Sequence, residues 1–237
     1  NTDLATGNYI LAIRLKDGDR EVWSFREAVL ILSGQTSEGN YHVDLDSVFE
    51  DFNDGTAGNF VDDASGRWAV VDGEYVLTIE QKGDWLYSYY DTDFSDFTLS
   101  VDLVQTSGEA GGMCGVYFRS SDGNVRNGYS FGITVNGKWY LGKCEGMIFR
   151  QINEPGGYTM PVSEHINTGL NAVNNVKIVC SGPTITIYVN GHYIYTIDDY
   201  DYDKGKIGVQ GSTDPYWDGD ESLYVFKFDN FSIIPHE

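Results

Sequence analysis

The chain has 237 residues and carries 15 Lys+Arg against 36 Asp+Glu, a formal net charge of −21. A surface this acidic repels phosphates, which excludes nucleic acid as a partner and disfavours contact with an anionic membrane surface. A content of 41% hydrophobic and 14% aromatic residues is too apolar for a disordered acidic tail. No run approaches about 18 apolar residues, so membrane insertion is not expected.

In chain order, the first predicted element is a hairpin. Asn8 to Leu15 and Val22 to Leu32 flank the polar turn Asp17-Gly18-Asp19. Gly34 to Asn40 is a polar link, and Tyr41 to Leu45 is a candidate further strand. So few strands cannot form an independent core. Residues 1–46 therefore read as the tail of a preceding β domain, or as strands packed on the main one. The main domain is expected over 47–237, long enough to bury a sizeable core. The chain opens on Asn1 rather than Met, as expected of a fragment of a longer protein.

Turn signals are dense from there on. Asp-Gly recurs at 54–55, 72–73, 122–123 and 218–219, and Asn-Gly at 127–128, 136–137 and 190–191. Both dipeptides tolerate positive φ and favour tight hairpins. Between them lie period-two runs such as Tyr75 to Ile79, Phe97 to Leu103 and Thr184 to Val189. In the second, Phe97, Leu99, Val101 and Leu103 share one face while Thr98, Ser100 and Asp102 share the other, the signature of a half-buried antiparallel strand. Many short strands and almost no helix predict an all-β sandwich or barrel. Cys114, Cys144 and Cys180 are far apart and form no C-x-x-C pair, which argues against a zinc or redox motif. Cys180 is in phase with Val176 and Ile178 and reads as a buried small hydrophobe.

Four ordered stretches carry a resemblance. They are Phe49-Glu50-Asp51-Phe52-Asn53-Asp54-Gly55 with Trp68 to Tyr75, Gly115 to Arg119 with Tyr129 to Ile133, Asn175 to Val179 with Ile185 to Gly191, and Gly205 to Val209 with Phe228 to Ile233. Together they resemble the concanavalin A-like lectin/glucanase superfamily in its laminin-G-like form. The N-terminal fragment is similar to the end of an immunoglobulin-like repeat. The resemblance implies a two-sheet antiparallel jelly-roll sandwich, a glycan site on the concave face or loop rim, and a structural Ca2+. For that ion, Asp51, Asn53 and Asp54 on one turn and Asp229 on a late strand are the expected ligands.

Catalytic signatures are weak. Retaining glycosidases on this fold use paired carboxylates about 5 Å apart, in a Glu-x-Asp-x-x-Glu pattern, and no Glu-x-Asp occurs here. Gly128-Tyr129-Ser130-Phe131-Gly132 matches G-x-S-x-G, but Ser130 lies in mid-strand without the helix that a nucleophile elbow needs. The EF-hand-like run from Asp199 has Lys204 where glycine belongs and Gln210 where Glu belongs.

The aromatic residues point to sugar stacking, since their flat faces are apolar and their edges polar. Trp85, Tyr87 and Tyr89 alternate onto one face. Tyr117 and Arg119 are out of phase with the core candidates Val116 and Phe118, so they are expected on the concave surface. One of Trp139 and Tyr140 points outward, and phase does not decide which. Trp217 sits in an acidic Gly-rich loop and is a rim candidate. The competing reading of each ring is ordinary sandwich core. The function expected is a non-catalytic, lectin-like module of a larger secreted or cell-surface protein, with a polysaccharide or glycan as partner. A jelly-roll glycoside hydrolase and a protein-binding adhesion module are the alternatives.

Overall fold

A computed structural model describes residues 7–17, 20–31, 47–81, 83–121, 123, 126–146, 148–153, 159–213 and 223–236. All of its elements are strands. Among the described residues no helix is long and apolar enough to cross a membrane. β1 (Gly7–Asp17) and β2 (Arg20–Ile31) pair antiparallel as a separate two-stranded sheet, the hairpin that the first turn signals predict. The candidate strand at 41–45 lies outside the described residues.

Among the described residues, fifteen further strands follow. They are β3 (Val48–Glu50), β4 (Phe60–Asp62), β5 (Trp68–Val71), β6 (Glu74–Ile79), β7 (Trp85–Phe94), β8 (Phe97–Ser107), β9 (Gly112–Ser120) and β10 (Asn127–Ile133), then β11 (Trp139–Glu145), β12 (Ile148–Gln151), β13 (Asn174–Ser181), β14 (Thr184–Val189), β15 (His192–Asp198), β16 (Gly205–Thr213) and β17 (Tyr224–Pro235). One sheet has the order β12-β11-β10-β9-β16-β7-β4, the other β15-β14-β13-β8-β17-β6-β5, with β3 added on β17.

The two sheets pack face to face as a sandwich. The alternation read in β8 holds: Phe97, Leu99, Val101 and Leu103 are buried, with partly buried residues between them. They meet Ile178 and Ile187 from their own sheet and Val116, Phe118 and Phe131 from the other in one apolar cluster. Phe97 of β8 faces Phe118 of β9 edge-on at 6.3 Å, a ring contact between the sheets. Trp68 stacks on Tyr75 at 4.9 Å, which seats both rings in the core. All three cysteines are buried and unpaired. Burial pushes the Cys144 thiol up to about 11 and the Cys180 thiol to about 12, so neither is a reactive thiolate at neutral pH.

One irregularity shapes the functional face. Opposite β16, Tyr117 pairs with Gly208 and Ser120 with Lys206, so Phe118 and Arg119 together oppose Ile207. That is a β-bulge, and Arg119 takes the left-handed backbone at φ 52° within it.

Candidate functional site

The outer face of the seven-stranded sheet, together with its β11–β12 edge, carries the site. Glycines on its strands leave room for rings to lie flat. A Cβ on Gly132 would sit 2.4 Å from Cε1 of Tyr140, and one on Gly142 would sit 2.1 Å from Cζ of Phe149. Tyr140 therefore rests on β10, and Phe149, from the edge strand β12, rests on β11. Trp85 leans in from β7 at the other side and donates from Nε1 to Gln210 Oε1 at 2.9 Å. Gln210 in turn donates to the Tyr140 hydroxyl at 3.0 Å and to the Val116 carbonyl at 3.3 Å. Ser130 and Tyr140 share a hydroxyl hydrogen bond at 2.9 Å. This polar set is buried and mutually satisfied, so it fixes the rings above it.

Phe149 meets Tyr140 edge-on at 5.4 Å and Trp85 edge-on at 5.8 Å. Strands β7 and β12 are five ladders apart, about 24 Å along a flat sheet. Ring contact across that span means that the sheet curls and this face is concave.

A cleft of about 850 Å³ opens beside these rings. Its apolar part is walled by Trp85, Met113, Tyr140, Phe149 and Met160. Its charged part is walled by Lys143, Glu145, Arg150 and Asp199. Lys143 Nζ donates to Asp199 Oδ2 at 2.9 Å and also to Asp201. Tyr129 donates its hydroxyl to Asp199 Oδ1 at 2.6 Å. Burial works against the Asp199 carboxylate, but the Tyr129 and Lys143 hydrogen bonds outweigh it and hold the group below the usual range. Burial likewise pulls Lys143 down, and its bonds to Asp201 and Asp199 raise it overall. Both groups stay charged at neutral pH, and Asp199 is no proton donor. Glu145 and Arg150 form a looser, exposed pair at 3.9 Å.

The residues expected from the sequence divide. Trp85 and Tyr140 wall the cleft. Tyr87 and Tyr89 share Trp85's face, half-buried, but continue past the cleft. Tyr117 has the predicted phase, yet it is buried beneath Gly123, whose carbonyl accepts its hydroxyl at 2.9 Å. Arg119 is a correction. The bulge breaks the alternation, and its guanidinium is 1% exposed. It donates to the carbonyls of Ser95, Gly182 and Tyr202 and to Asp96, which leaves nothing for a ligand. Trp139 is a second correction: it packs inward between Phe131 at 6.2 Å and Tyr195 at 5.7 Å, because the ladder puts it opposite Ile133 on the core side. Trp217 lies outside the described residues.

The residues expected to hold calcium make contacts within their own turns, and Asp51 lies near enough to Asp229 to act on its charge. Asp51 Oδ1 accepts the Asn53 amide at 3.1 Å, and Asp54 Oδ1 accepts both the amide and the hydroxyl of Thr56 at 2.8 Å. Asp229 accepts from the Asn230 backbone amide at 2.7 Å. For Asp51 and Asp54 these turn contacts use one carboxylate oxygen, and among the described residues no three His, Cys, Asp or Glu side chains converge as a metal cluster.

Phe149, Met113 and Gln210 were missed by sequence reasoning. Gln210 had a usable signal, a polar residue at even spacing from Gly208 on a strand whose other phase is Ile207 and Val209. Phe149 had none, because β12 is too short to show a period.

The sandwich and its concave, aromatic-walled cleft define a concanavalin A-like jelly roll. Within that class the chain belongs to the 3-keto-alpha-glucoside-1,2-lyase-like domain family, whose pattern matches residues 46–233. Solved structures share the fold at low identity. The carbohydrate-binding module CBM66 from Bacillus subtilis is 19% identical, with a TM-score of 0.57 over 73% of this chain and 94% of its own. The Bacillus licheniformis beta-glucanase is 12% identical, with a TM-score of 0.59 over 81% of this chain and 98% of its own. The carbohydrate recognition domain of Emp47p is 11% identical, with a TM-score of 0.59 over 81% and 95%. No curated protein matches the chain significantly.

Proposed function

We propose that the concave cleft binds a glycan without cleaving it, as a module of a secreted or cell-surface protein. The observation that carries this reading is the wall of Trp85, Tyr140 and Phe149, fixed from below by Gln210 and Ser130 and flanked by Lys143, Asp199 and Glu145. Apolar ring faces beside a few fixed polar groups suit a sugar, which presents C–H faces and hydroxyl edges. The cleft also weighs against an adhesion module, which needs a flat apolar patch. Two of the structural neighbours are named for carbohydrate binding, which supports the same reading.

Affinity electrophoresis through immobilised polysaccharides tests it. The wild-type protein should be retarded by at least one polysaccharide, and Trp85→Ala should migrate freely while still folded. A folded wild-type protein that no polysaccharide retards would sink the proposal.

Family membership favours a second reading, lyase chemistry on a 3-keto-glucoside. A 3-keto group acidifies the neighbouring C2 hydrogen, so a base that removes it can expel the substituent on C1. Of the cleft carboxylates, Glu145 is the less constrained, since Asp199 is tied to Tyr129 and Lys143. Release of the aglycone from a 3-keto-glucoside, abolished by Glu145→Gln, would replace the binding reading with this one.

A further inference from the structure

The cleft has two chemically unlike ends, and β12 divides them. In the β11–β12 ladder Phe149 stands opposite Cys144 and Arg150 opposite Lys143, so the two side chains leave the edge strand on opposite sides. Phe149 joins Tyr140 and Trp85 on the outer face. Arg150 reaches Glu145 on the other side, where Lys143 and Asp199 are paired. At the outer end the half-buried Met113 and Met160 complete the wall.

The polar atoms of that outer end are already engaged. Trp85 Nε1 donates to Gln210 Oε1, and the Tyr140 hydroxyl is held by Gln210 and Ser130. Gln151 Nε2 donates to the Thr159 carbonyl at 3.3 Å. This leaves a ligand little beyond the Ser212 hydroxyl and the Gln151 side-chain oxygen. A pyranose carries hydroxyls around its rim, and seated at this end it would bury most of them without partners. Three rings and two thioethers suit an apolar group instead, because the methionines adapt their shape to it.

We propose that the sugar held by this cleft carries an apolar substituent, such as an aryl or alkyl aglycone, which fills the outer end beside Met113 and Met160. The inference rests on the glycan-binding reading and narrows it. The sugar hydroxyls meet Arg150, Glu145 and Asp199 at the edge, and the substituent crosses β12 past Phe149. An unsubstituted sugar still lays a C–H face on the rings but leaves the methionines uncovered.

The test is calorimetric titration of the methyl, phenyl and hexyl glycosides of glucose, galactose and mannose, both anomers, against wild type, Met113→Gln, Met160→Gln and Met113→Leu. For a sugar that binds, the phenyl and hexyl glycosides should exceed the methyl glycoside by about tenfold or more in wild type, the scale set by burying a few CH2 groups. M113Q and M160Q keep the side-chain length but add an amide, and should lower that ratio by about threefold or more. M113L stays apolar and should keep it. The wild-type series decides the matter even if a glutamine variant does not fold. Equal affinity for methyl, phenyl and hexyl glycosides overturns the substituent and leaves the glycan reading standing, as does binding of a polysaccharide with no preference among the glycosides. Phenol or hexanol binding as tightly as the matching glycoside overturns both, since the sugar then adds nothing. Absence of binding to every glycoside and polysaccharide, with the protein folded, also overturns both.

Discussion

The Tyr129 hydroxyl donates to Asp199 Oδ1 at 2.6 Å, while Lys143 holds the other carboxylate oxygen at 2.9 Å. This pairing sets the charge on one wall of the cleft. Asp199 has a folded-state pKa below the usual carboxylate range, so its stabilisation is present above the unfolded pKa and lost as pH falls through the folded pKa. Tyr129→Phe should cost about 1.5–3 kcal/mol at neutral pH, the usual worth of a hydrogen bond to a charged group. The deficit should shrink in strong acid, where Asp199 is protonated in both proteins. Urea denaturation in steps from pH 7 down through the acid range checks this; a deficit that never shrinks as the carboxylate protonates would rule the mechanism out.

Arg119 ties together the β7–β8 turn through Ser95, the β13–β14 turn through Gly182 and the loop before β16 through Tyr202. Arg119→Ala should destabilise the domain by about 3–5 kcal/mol, because it leaves buried carbonyls without donors. Arg119→Lys should recover little, since one ammonium cannot reach three diverging carbonyls. Thermal and urea unfolding of both variants give the answer. A lysine variant as stable as wild type would mean that charge, and not the planar fork, matters here.

Asp229 is pushed up to about 6 by burial, with Asp102, Glu74 and Asp51 adding like charge. A carboxyl raised in the fold contributes most below its unfolded pKa, and that contribution is lost as pH rises through the folded pKa. Stability should therefore fall between about pH 4 and pH 7 on account of this group. Asp229→Asn should remove that slope and gain about 1 kcal/mol at neutral pH, after allowance for solvent screening. That corresponds to a Tm rise of roughly 2–4 °C. A melting series across this range would show it, and a lower Tm for the variant at pH 7 would refute it.

Removal of divalent cations should leave the fold untouched. Oδ1 of Asp51 and Oδ1 of Asp54 each hold their own turn through Asn53 and Thr56 without an ion. Tm with EDTA and with millimolar calcium should agree within about 1 °C, since an ion that binds only the native state raises Tm by mass action. A calcium-dependent rise would overturn this prediction and support the metal site that the resemblance implies.

Most of the sandwich was legible because its strands obey a strict period of two. β8 and β14 bury every second residue, as the spacing of Leu99 and Val101 and of Ile185 and Ile187 announces. The same rule placed Trp85, Tyr87 and Tyr89 together. It failed at Arg119, where an extra residue enters the ladder and a left-handed backbone falls on an arginine, a residue with no turn preference to give it away. It left Trp139 undecided, because Trp139 and Tyr140 are both large, aromatic and buried, and only the pairing of Trp139 with Ile133 fixes the phase. Coverage by a loop, as for Tyr117 under Gly123, is a tertiary event that no local pattern records.

The glycines beneath the rings make the depth of the cleft adjustable from below. Tyr140 and Phe149 lie low only because Gly132 and Gly142 present no methyl group. An alanine at either position would jack the ring above it toward solvent and leave every ligand-facing side chain chemically unchanged. The contour of the trough is thus encoded one layer under its surface. Relatives with an identical set of rings could differ in what they hold through a single hydrogen-for-methyl exchange that no inventory of contact residues would reveal.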